Sequence, residues 1–202
     1  MKQTQRIIFI FLLWGIALSA RAETSEVEEE PFRYNGSFKA IEVALGATTP
    51  FLGSDYGATG FQVQVSGRLA TILQVLDIAS AYNFHQSEVF GKKHQAHSLT
   101  ADLRIHPMLV RHFSQTWSEY TLASLHLLFF VGPLLSNLED EGLDFSAVYG
   151  LGLGIDIPLG DLDQERMWWL GLNWRLSLAS AGGLELDSQS VNLSLSYRFQ
   201  GL

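Results

Sequence analysis

Three histidines and a glutamate lie close together in one short segment of the sequence, residues 85–97. They are His85, Glu88, His94 and His97. Imidazole and carboxylate groups are among the side chains that bind transition metals in proteins. The spacing matches no established metal motif, so two interpretations stay open: a metal site, or solvated side chains of a loop. The sequence gives no reason to predict a bound metal or other cofactor.

Two serine–histidine neighbours offer parts of a nucleophilic site, in which a histidine takes the proton of a serine hydroxyl. Ser87 lies between His85 and Glu88, and Ser124 lies two residues before His126. Serine and histidine this close along a chain often coincide by chance. We therefore predict no catalytic residue from these pairs, and an enzyme stays an alternative interpretation.

Strands are the elements expected to carry these residues. Apolar and polar side chains alternate along most of the chain, which places them on opposite faces of a strand. The alternation recurs in eight segments, at about residues 38–47, 61–69, 75–84, 98–106, 120–131, 145–157, 168–178 and 191–199. We predict an all-β fold, an antiparallel up-and-down barrel of about eight strands, within a domain over residues 36–202.

The polar face distinguishes a membrane barrel from a soluble one. A soluble barrel turns that face to water, whereas a narrow membrane barrel turns it to an interior barely wide enough for side chains. Most members of this face are small, such as Ala44, Gly152 and Ser194. The apolar face lacks charge on the seven clear strands, which favours lipid as its solvent. In the ambiguous fifth strand, lipid favours the register that turns Ser124 and His126 inward.

Eight charged residues belong to the polar face and are expected inside the barrel. They are Glu42, Asp77, Asp102 and Asp156, together with Arg68, Arg104, Arg175 and Arg198. Because an unpaired charge in a narrow interior is costly, the two signs predict a network of ion pairs. Arg68 and Asp77 flank one short turn and are expected to pair directly. Arg104, Asp102 and Glu42 are expected to extend the network, and a gate or a proton path is the functional alternative.

The N-terminus has the three parts of a secretory signal peptide: basic residues, an apolar run over residues 7–18, and an Ala-Arg-Ala cleavage site at residues 20–22. We predict a signal peptide over residues 1–22 and an acidic, disordered lead-in over residues 23–35. Removing three of the 13 basic residues leaves 10 against 21 acidic ones, a formal charge of −11. This charge disfavours a nucleic-acid partner.

The last predicted strand, Val191-Asn-Leu-Ser-Leu-Ser-Tyr-Arg-Phe199, resembles the terminal strand of outer-membrane β-barrels, which ends in an aromatic residue. The stretch Tyr149-Gly-Leu-Gly-Leu-Gly-Ile-Asp156 is similar to strands of the small OmpA-, OmpX- and OmpW-like barrels. The resemblance is one of pattern and covers roughly residues 38–199. It implies a location in the outer membrane of a Gram-negative cell. It also implies that Tyr197 and Phe199 form the signal read by the barrel-assembly machinery.

The resemblance further implies an orientation. With an even strand number and a periplasmic N-terminus, the connections over residues 48–60, 85–97, 132–142 and 179–188 face outward. One outer loop would then carry His85, Glu88, Lys92, Lys93, His94 and His97. On that loop Lys92 and Lys93 could contact lipopolysaccharide phosphates. The long connection over residues 107–118 would be periplasmic and is a candidate surface for another envelope protein.

Three functions remain open from the sequence. The first is a structural or interaction barrel without a large open pore, as a subunit of an envelope complex embedded in outer-membrane lipid. The second is a narrow passage for small solutes, which ranks lower because eight strands leave little open lumen. The third is a lipid A-modifying enzyme, since some small barrels are lipid A deacylases or palmitoyltransferases.

Overall fold

The computed structural model describes residues 38–51, 54–55, 59–72, 76–106, 117–139, 142–160 and 166–200. Its elements are β1 (Phe38–Pro50), β2 (Gly60–Ile72), β3 (Leu76–Val89), β4 (Lys92–Ile105), α1 (Trp117–Ala123), β5 (His126–Leu138), β6 (Gly142–Leu159), β7 (Arg166–Ala181), β8 (Leu184–Glu185) and β9 (Ser188–Gln200). The predicted signal peptide, the acidic lead-in and most of the connection over residues 107–118 lie outside the described residues.

Eight long strands close into an antiparallel barrel. Strands β1 to β7 pair in sequence order, β7 also pairs with β9, and β9 pairs with β1 to complete the ring. The two-residue β8 pairs only with the end of β7. The predicted fold class is therefore confirmed.

A circuit along paired residues measures the stagger of the barrel. It starts at Ala40 and passes through Arg68, Ala79, Asp102, Phe130, Gly150, Ser177 and Ser188. It returns to β1 at Pro50, ten residues beyond its start. A stagger of this size requires strands that tilt by roughly 40° from the barrel axis. Eight tilted strands enclose an interior of a width that side chains can fill.

The two faces of each strand have the predicted orientation. On β1 the side chains of Ile41, Val43 and Leu45 are exposed, and those between them are buried. Along β5 burial alternates residue by residue, with His126 inward and Leu127 outward. Most strands thus present an apolar face outward and a polar or small face inward, whereas the inward face of β5 is largely apolar, with Leu128, Phe130, Leu134 and Leu138 buried.

The prediction of a loop over residues 85–97 is wrong. Strands β3 and β4 continue through this segment, and only Phe90 and Gly91 join them. Both turn residues have positive φ, 51° and 76°, as a two-residue type I′ turn requires. Polar residues here still alternate between the faces, so the ladder extends past the apolar part of the strands. The prediction of a connection over residues 132–142 is also wrong in part, because β5 continues to Leu138.

The fifth strand begins at His126 and not near residue 120, because residues 117–123 form the helix α1. A short apolar run does not distinguish strand from helix by periodicity, which accounts for the difference. Within the described residues, no helix has both the length and the apolar character needed to cross a membrane.

Candidate functional site in the barrel interior

A bidentate ion pair lies at the centre of the interior. The guanidinium of Arg104 on β4 donates from Nη1 to Glu42 Oε2 at 3.1 Å and from Nη2 to Glu42 Oε1 at 2.8 Å. Both side chains are buried. Parallel N–H···O bonds of this kind fix the orientation of both groups as well as their distance.

Arg68 on β2 links this pair to two further carboxylates. Its Nη1 lies 3.1 Å from Asp77 Oδ2, and its Nη2 lies 3.8 Å from both Glu42 Oε2 and Asp156 Oδ2. Asp77 Oδ2 also lies 2.9 Å from Nε2 of His106, at the end of β4. One arginine therefore joins residues of β1, β3 and β6 across the interior.

The two remaining arginines pair with carboxylates and stack on aromatic rings. Arg198 pairs with Asp156 and lies over the Trp169 ring, 3.8 Å from its centroid. Arg175 Nη2 lies 3.4 Å from an oxygen of Asp102. Its guanidinium also lies 4.1 Å from the centroid of Phe130. Ring faces attract guanidinium groups, so these side chains fill the space beside the ion pairs.

The structure brings together all eight charged residues that the sequence placed on the polar face. They form a layer of four carboxylates and four guanidinium groups, all buried: Glu42, Asp77, Asp102, Asp156, Arg68, Arg104, Arg175 and Arg198. Each guanidinium lies within 4 Å of at least one carboxylate. The formal charges cancel, which limits the cost of removing eight ions from water.

A group of hydrogen bonds around Ser124 and His126 lies beside the ion pairs, where α1 leads into β5. Ser124 Oγ accepts from the backbone N–H of Asp156 at 2.8 Å and lies 2.7 Å from the carbonyl of Thr121. The ring of His126 lies between the Ser124 carbonyl, 2.9 Å from Nδ1, and Asn173 Oδ1, 3.1 Å from Nε2. Both ring nitrogens of His126 are thus engaged away from the Ser124 hydroxyl, so this pair does not have nucleophile–base geometry.

The outer half of the interior contains a small chamber of about 50 Å³, lined by both polar and apolar side chains. Its lining includes Gln62, Asn83, His85, Ser98, Thr100 and Arg175. A volume of this size holds a few water molecules. The charged layer separates the chamber from the inner end of the barrel.

Apolar side chains close the outer mouth above this chamber. Val89, Leu138, Ala181 and Leu186 are buried against one another, and each comes from a different strand end or connection. Leu186 reaches the cluster because its N–H donates to the Ala179 carbonyl at 2.9 Å. Asp187 Oδ1 in turn accepts from the Ala179 N–H at 3.1 Å. These bonds hold the residue 184–187 segment, here called the cap segment, over the mouth.

The residues predicted to share one outer loop lie on two faces of the β3–β4 hairpin. His85, Ser87 and His94 face the interior. His94 Nε2 lies 2.7 Å from Ser136 Oγ. His97 faces outward, with its Nδ1 2.7 Å from the Tyr82 hydroxyl.

Glu88 and Lys93 are exposed and directly opposite one another, and Lys92 starts β4 beside the turn. The carboxylate of Glu88 therefore does not share a face with His85 or Ser87. Among the described residues, no group of three His, Asp or Glu side chains is placed to hold a metal ion.

Tyr197 and Phe199, the predicted assembly signal, lie on β9 with their rings 6.2 Å apart. The Trp168 ring of β7 lies 5.0 Å from Tyr197. The exposed Lys39 and Arg166 are the residues opposite Phe199 on the two flanking strands. Aromatic rings beside cationic side chains are typical of a membrane–water interface.

Sequence reasoning missed the contacts that depend on strand register. Phe130 and Trp169 are aromatic residues that face inward. Phe130 also packs in a buried apolar cluster with Leu128, Leu134 and Val148, on a strand that is apolar on both faces. Leu186 gave no signal, because it lies in a polar connection.

Solved structures of small barrels are similar to this one. Neisserial surface protein A (NspA) matches with a TM-score of 0.51 at 17% identity, over 82% of this chain and 97% of that chain. The N-terminal barrel domain of Pseudomonas aeruginosa OprF has a TM-score of 0.40 at 12% identity, over 79% and 97%. Ail, the attachment invasion locus protein of Yersinia pestis, has a TM-score of 0.46 at 11% identity, over 81% and 99%.

The chain has the fold of the small outer-membrane barrels. The similarity to NspA supports this conclusion. It confirms the fold that the sequence of the terminal strand and of the glycine-rich stretch predicted. No protein-family model matches the sequence, and no curated protein matches it significantly.

Proposed function

We propose that this chain is an integral outer-membrane protein that serves as a structural or interaction barrel of the cell envelope and forms no open pore. The filled interior carries the proposal. A charged layer crosses the barrel, mostly in its inner half, and an apolar cluster closes its outer mouth. A solute would have to displace both.

The outward face of β7 supports a location in the membrane. It presents Trp168, Leu170, Leu172, Trp174, Leu176 and Leu178 in succession, between Arg166 at one end and Ser180 at the other. At about 3.3 Å per residue and a tilt near 40°, the stretch from Trp168 to Leu178 is roughly 25 Å tall. This is the height of the apolar band of outer-membrane barrels.

The proposed partners follow from this location. Outer-membrane lipid and lipopolysaccharide would surround the apolar band, and the barrel-assembly machinery would read β9 and its aromatic end. Another envelope protein would bind the parts of the barrel that project from the bilayer. Purification from native membrane in mild detergent, with identification of what co-elutes, tests for that partner, and an isolated monomer would count against it.

Conductance in planar bilayers tests the filled-barrel proposal. We expect no steady open level from the folded protein, because the charged layer blocks the interior. A stable, reproducible conductance would contradict the proposal and favour a narrow passage. Mass spectra of lipid A from cells with and without the protein test the enzyme alternative, for which we expect unchanged acyl chains.

A further inference from the structure

The most exposed large apolar side chains of the described residues lie at the outer end of the barrel. They are Phe145 with 73% of its surface exposed, Leu143 with 71% and Phe90 with 68%. We call Leu143 and Phe145 the rim patch; Phe90 is a third exposed apolar residue at the same end of the barrel. Leu143 and Phe145 are neighbours on the outward face of β6, and Phe90 is at the tip of the β3–β4 hairpin.

The rim patch lies beyond the apolar band that lipid would cover. The line of pairs from Phe84 passes through His97 and Leu135 to Phe145. Because the strands tilt, each step along this line moves outward, and three steps place Phe145 roughly 9 Å farther out than Phe84. Phe84, packed beside Phe61 and His97, belongs to the aromatic belt at the edge of the band.

The length of β6 leads to the same conclusion. A strand of about 9–11 residues spans a bilayer, whereas β6 has 18 residues and an outward face that is apolar from Leu143 to Leu159. On β6, Tyr149 is the outward aromatic residue at the same height as this belt. Phe145 and Leu143 continue the apolar face past Ala147 into the region where the neighbouring strands present Gln95 and Asn137.

Phe90 adds a second and independent observation. Its φ of 51° is in the left-handed region, which is unfavourable for a bulky residue and is usually given to Asn, Asp or Gly in such a turn. Burial does not offset this cost, because the ring is exposed. Strain retained at an exposed aromatic residue is typical of a binding site.

The outer end of the barrel as a whole is acidic, which indicates the charge of a partner that binds there. At the outer end, the described carboxylates outnumber the lysines by six to two: Asp55, Glu88, Glu139, Asp144, Glu185 and Asp187 against Lys92 and Lys93. Glu139 directly follows β5, and its carboxylate accepts from the Lys93 N–H at 3.2 Å, which links the end of β5 to the β3–β4 hairpin. An apolar surface at an acidic end of the barrel complements a partner with apolar and basic side chains.

We propose that the rim patch is a docking surface for a basic, apolar polypeptide segment outside the cell. The proposal rests on the outer-membrane orientation of the proposed function, and it names the class of partner for that interaction barrel. Apolar contact supplies the centre of the interface, and the carboxylates at the rim select cations over anions.

The test uses the protein folded in nanodiscs of zwitterionic phosphatidylcholine, which does not itself attract a cationic peptide. The probe is a fluorescent 18-residue amphipathic peptide of lysine, leucine and tryptophan, compared with a version in which glutamate replaces every lysine. We expect saturable binding, at least tenfold tighter for the lysine peptide and weaker at high salt. Equal affinity for the two peptides, or no binding, would overturn the proposal.

Variants localise the binding. We expect the double variant Leu143→Ser/Phe145→Ser to lower the affinity for the lysine peptide at least tenfold. We expect Glu139→Gln to lower it severalfold. The control is Gln189→Ser on β9, which changes an outward polar side chain two strands away from β6 and is expected to leave affinity unchanged. An unaltered affinity in the double variant would overturn the proposal. Self-association of the original protein that is lost in the double variant would also overturn it, because the patch would then bind a second copy of the chain.

Each sample is also run on a gel with and without heating, because folded outer-membrane barrels migrate faster before they are heated. Failure to insert and to shift on heating would contradict the proposed function itself. A folded, inserted barrel that binds the peptide independently of the rim patch would contradict only the docking surface.

Discussion

At the scale of single residues, Arg104 and Glu42 illustrate how the interior tolerates charge. Their two hydrogen bonds, at 2.8 and 3.1 Å, offset much of the cost of removing both groups from water. A buried ion pair of this kind adds little net stability compared with apolar residues, but removing one partner leaves an uncompensated charge. Removing one member of the pair is therefore expected to destabilise the barrel more than replacing both members by apolar residues.

We expect Arg104→Met to lower the free energy of unfolding by about 3–5 kcal/mol. The double variant Arg104→Met/Glu42→Leu is expected to recover most of this loss, because neither charge remains. Urea unfolding in lipid vesicles, followed by tryptophan fluorescence, measures both. As a control, Arg166→Gln at an exposed site is expected to change stability by no more than about 0.5 kcal/mol. A single variant as stable as the original would refute the ion-pair account.

At the scale of elements, the inward glycines of β6 make room for the side chains that fill the barrel. A Cβ on Gly150 would overlap the carbonyl oxygen of Leu176 on β7 and the ring of Phe130 on β5. That ring is the one on which Arg175 stacks. The glycine-rich stretch is thus a packing feature that lets an arginine and an aromatic ring share a narrow interior.

We expect Gly150→Ala to destabilise the barrel by about 1–3 kcal/mol, the usual cost of overpacking. Gly67→Ala is the matched control, because its Cβ would point outward from β2 into open space. That variant is expected to be neutral or to gain up to about 1 kcal/mol from reduced backbone entropy of the unfolded chain. Equal stability losses in the two variants would contradict the packing role of Gly150.

The cap segment makes a separate prediction about access. The sequence has no cysteine, so Ser98→Cys places a single thiol in the outer chamber. We expect this thiol to react slowly with a water-soluble maleimide, and at least tenfold faster when Leu186→Ser removes the apolar closure. The control is Gln95→Cys on the outward face of β4, which should react quickly with or without Leu186. Fast reaction of the thiol at position 98 beneath an intact cap segment would show that the mouth is open.

The sequence predicted the elements whose alternation extends over a whole strand. Strands near residues 38–47 and 191–199 are present with the predicted faces, since each inward polar residue is flanked by outward apolar ones. The prediction was less accurate where patterns overlap. Residues 120–123 belong to a helix although the apolar run that they begin predicts a strand, and residues 85–97 form a hairpin although most of them are polar.

Site contacts were predictable only where sequence neighbours meet. Arg68 and Asp77 flank one turn and do approach to 3.1 Å. The approach of Arg175 to Asp102 depends on the register of three intervening ladders, which no local pattern specifies. For the same reason, the 2.7 Å contact between His94 and Ser136 could not be anticipated from the sequence.

At the scale of the whole molecule, closure, stagger and burial act together. Closure removes the strand edges, so backbone N–H and C=O groups pair around the ring even where no water is available. The ten-residue stagger keeps the interior narrow, and balanced charges with stacked rings fill it. Among the described residues, none covers the outward apolar face. We propose that its stability depends on hydrocarbon, which is the central claim about this protein.

Spin labels on β9 test that claim most directly. Single cysteines replacing Leu193, Ser194, Leu195 and Ser196 are labelled in the barrel folded in lipid bilayers, and the accessibility of each label to oxygen and to a water-soluble nickel complex is measured. We expect labels at positions 193 and 195 to be reached by oxygen and not by nickel, and labels at positions 194 and 196 to be shielded from both. A nickel-accessible label at position 193, or the absence of a period of two, would contradict the claim that this face meets lipid.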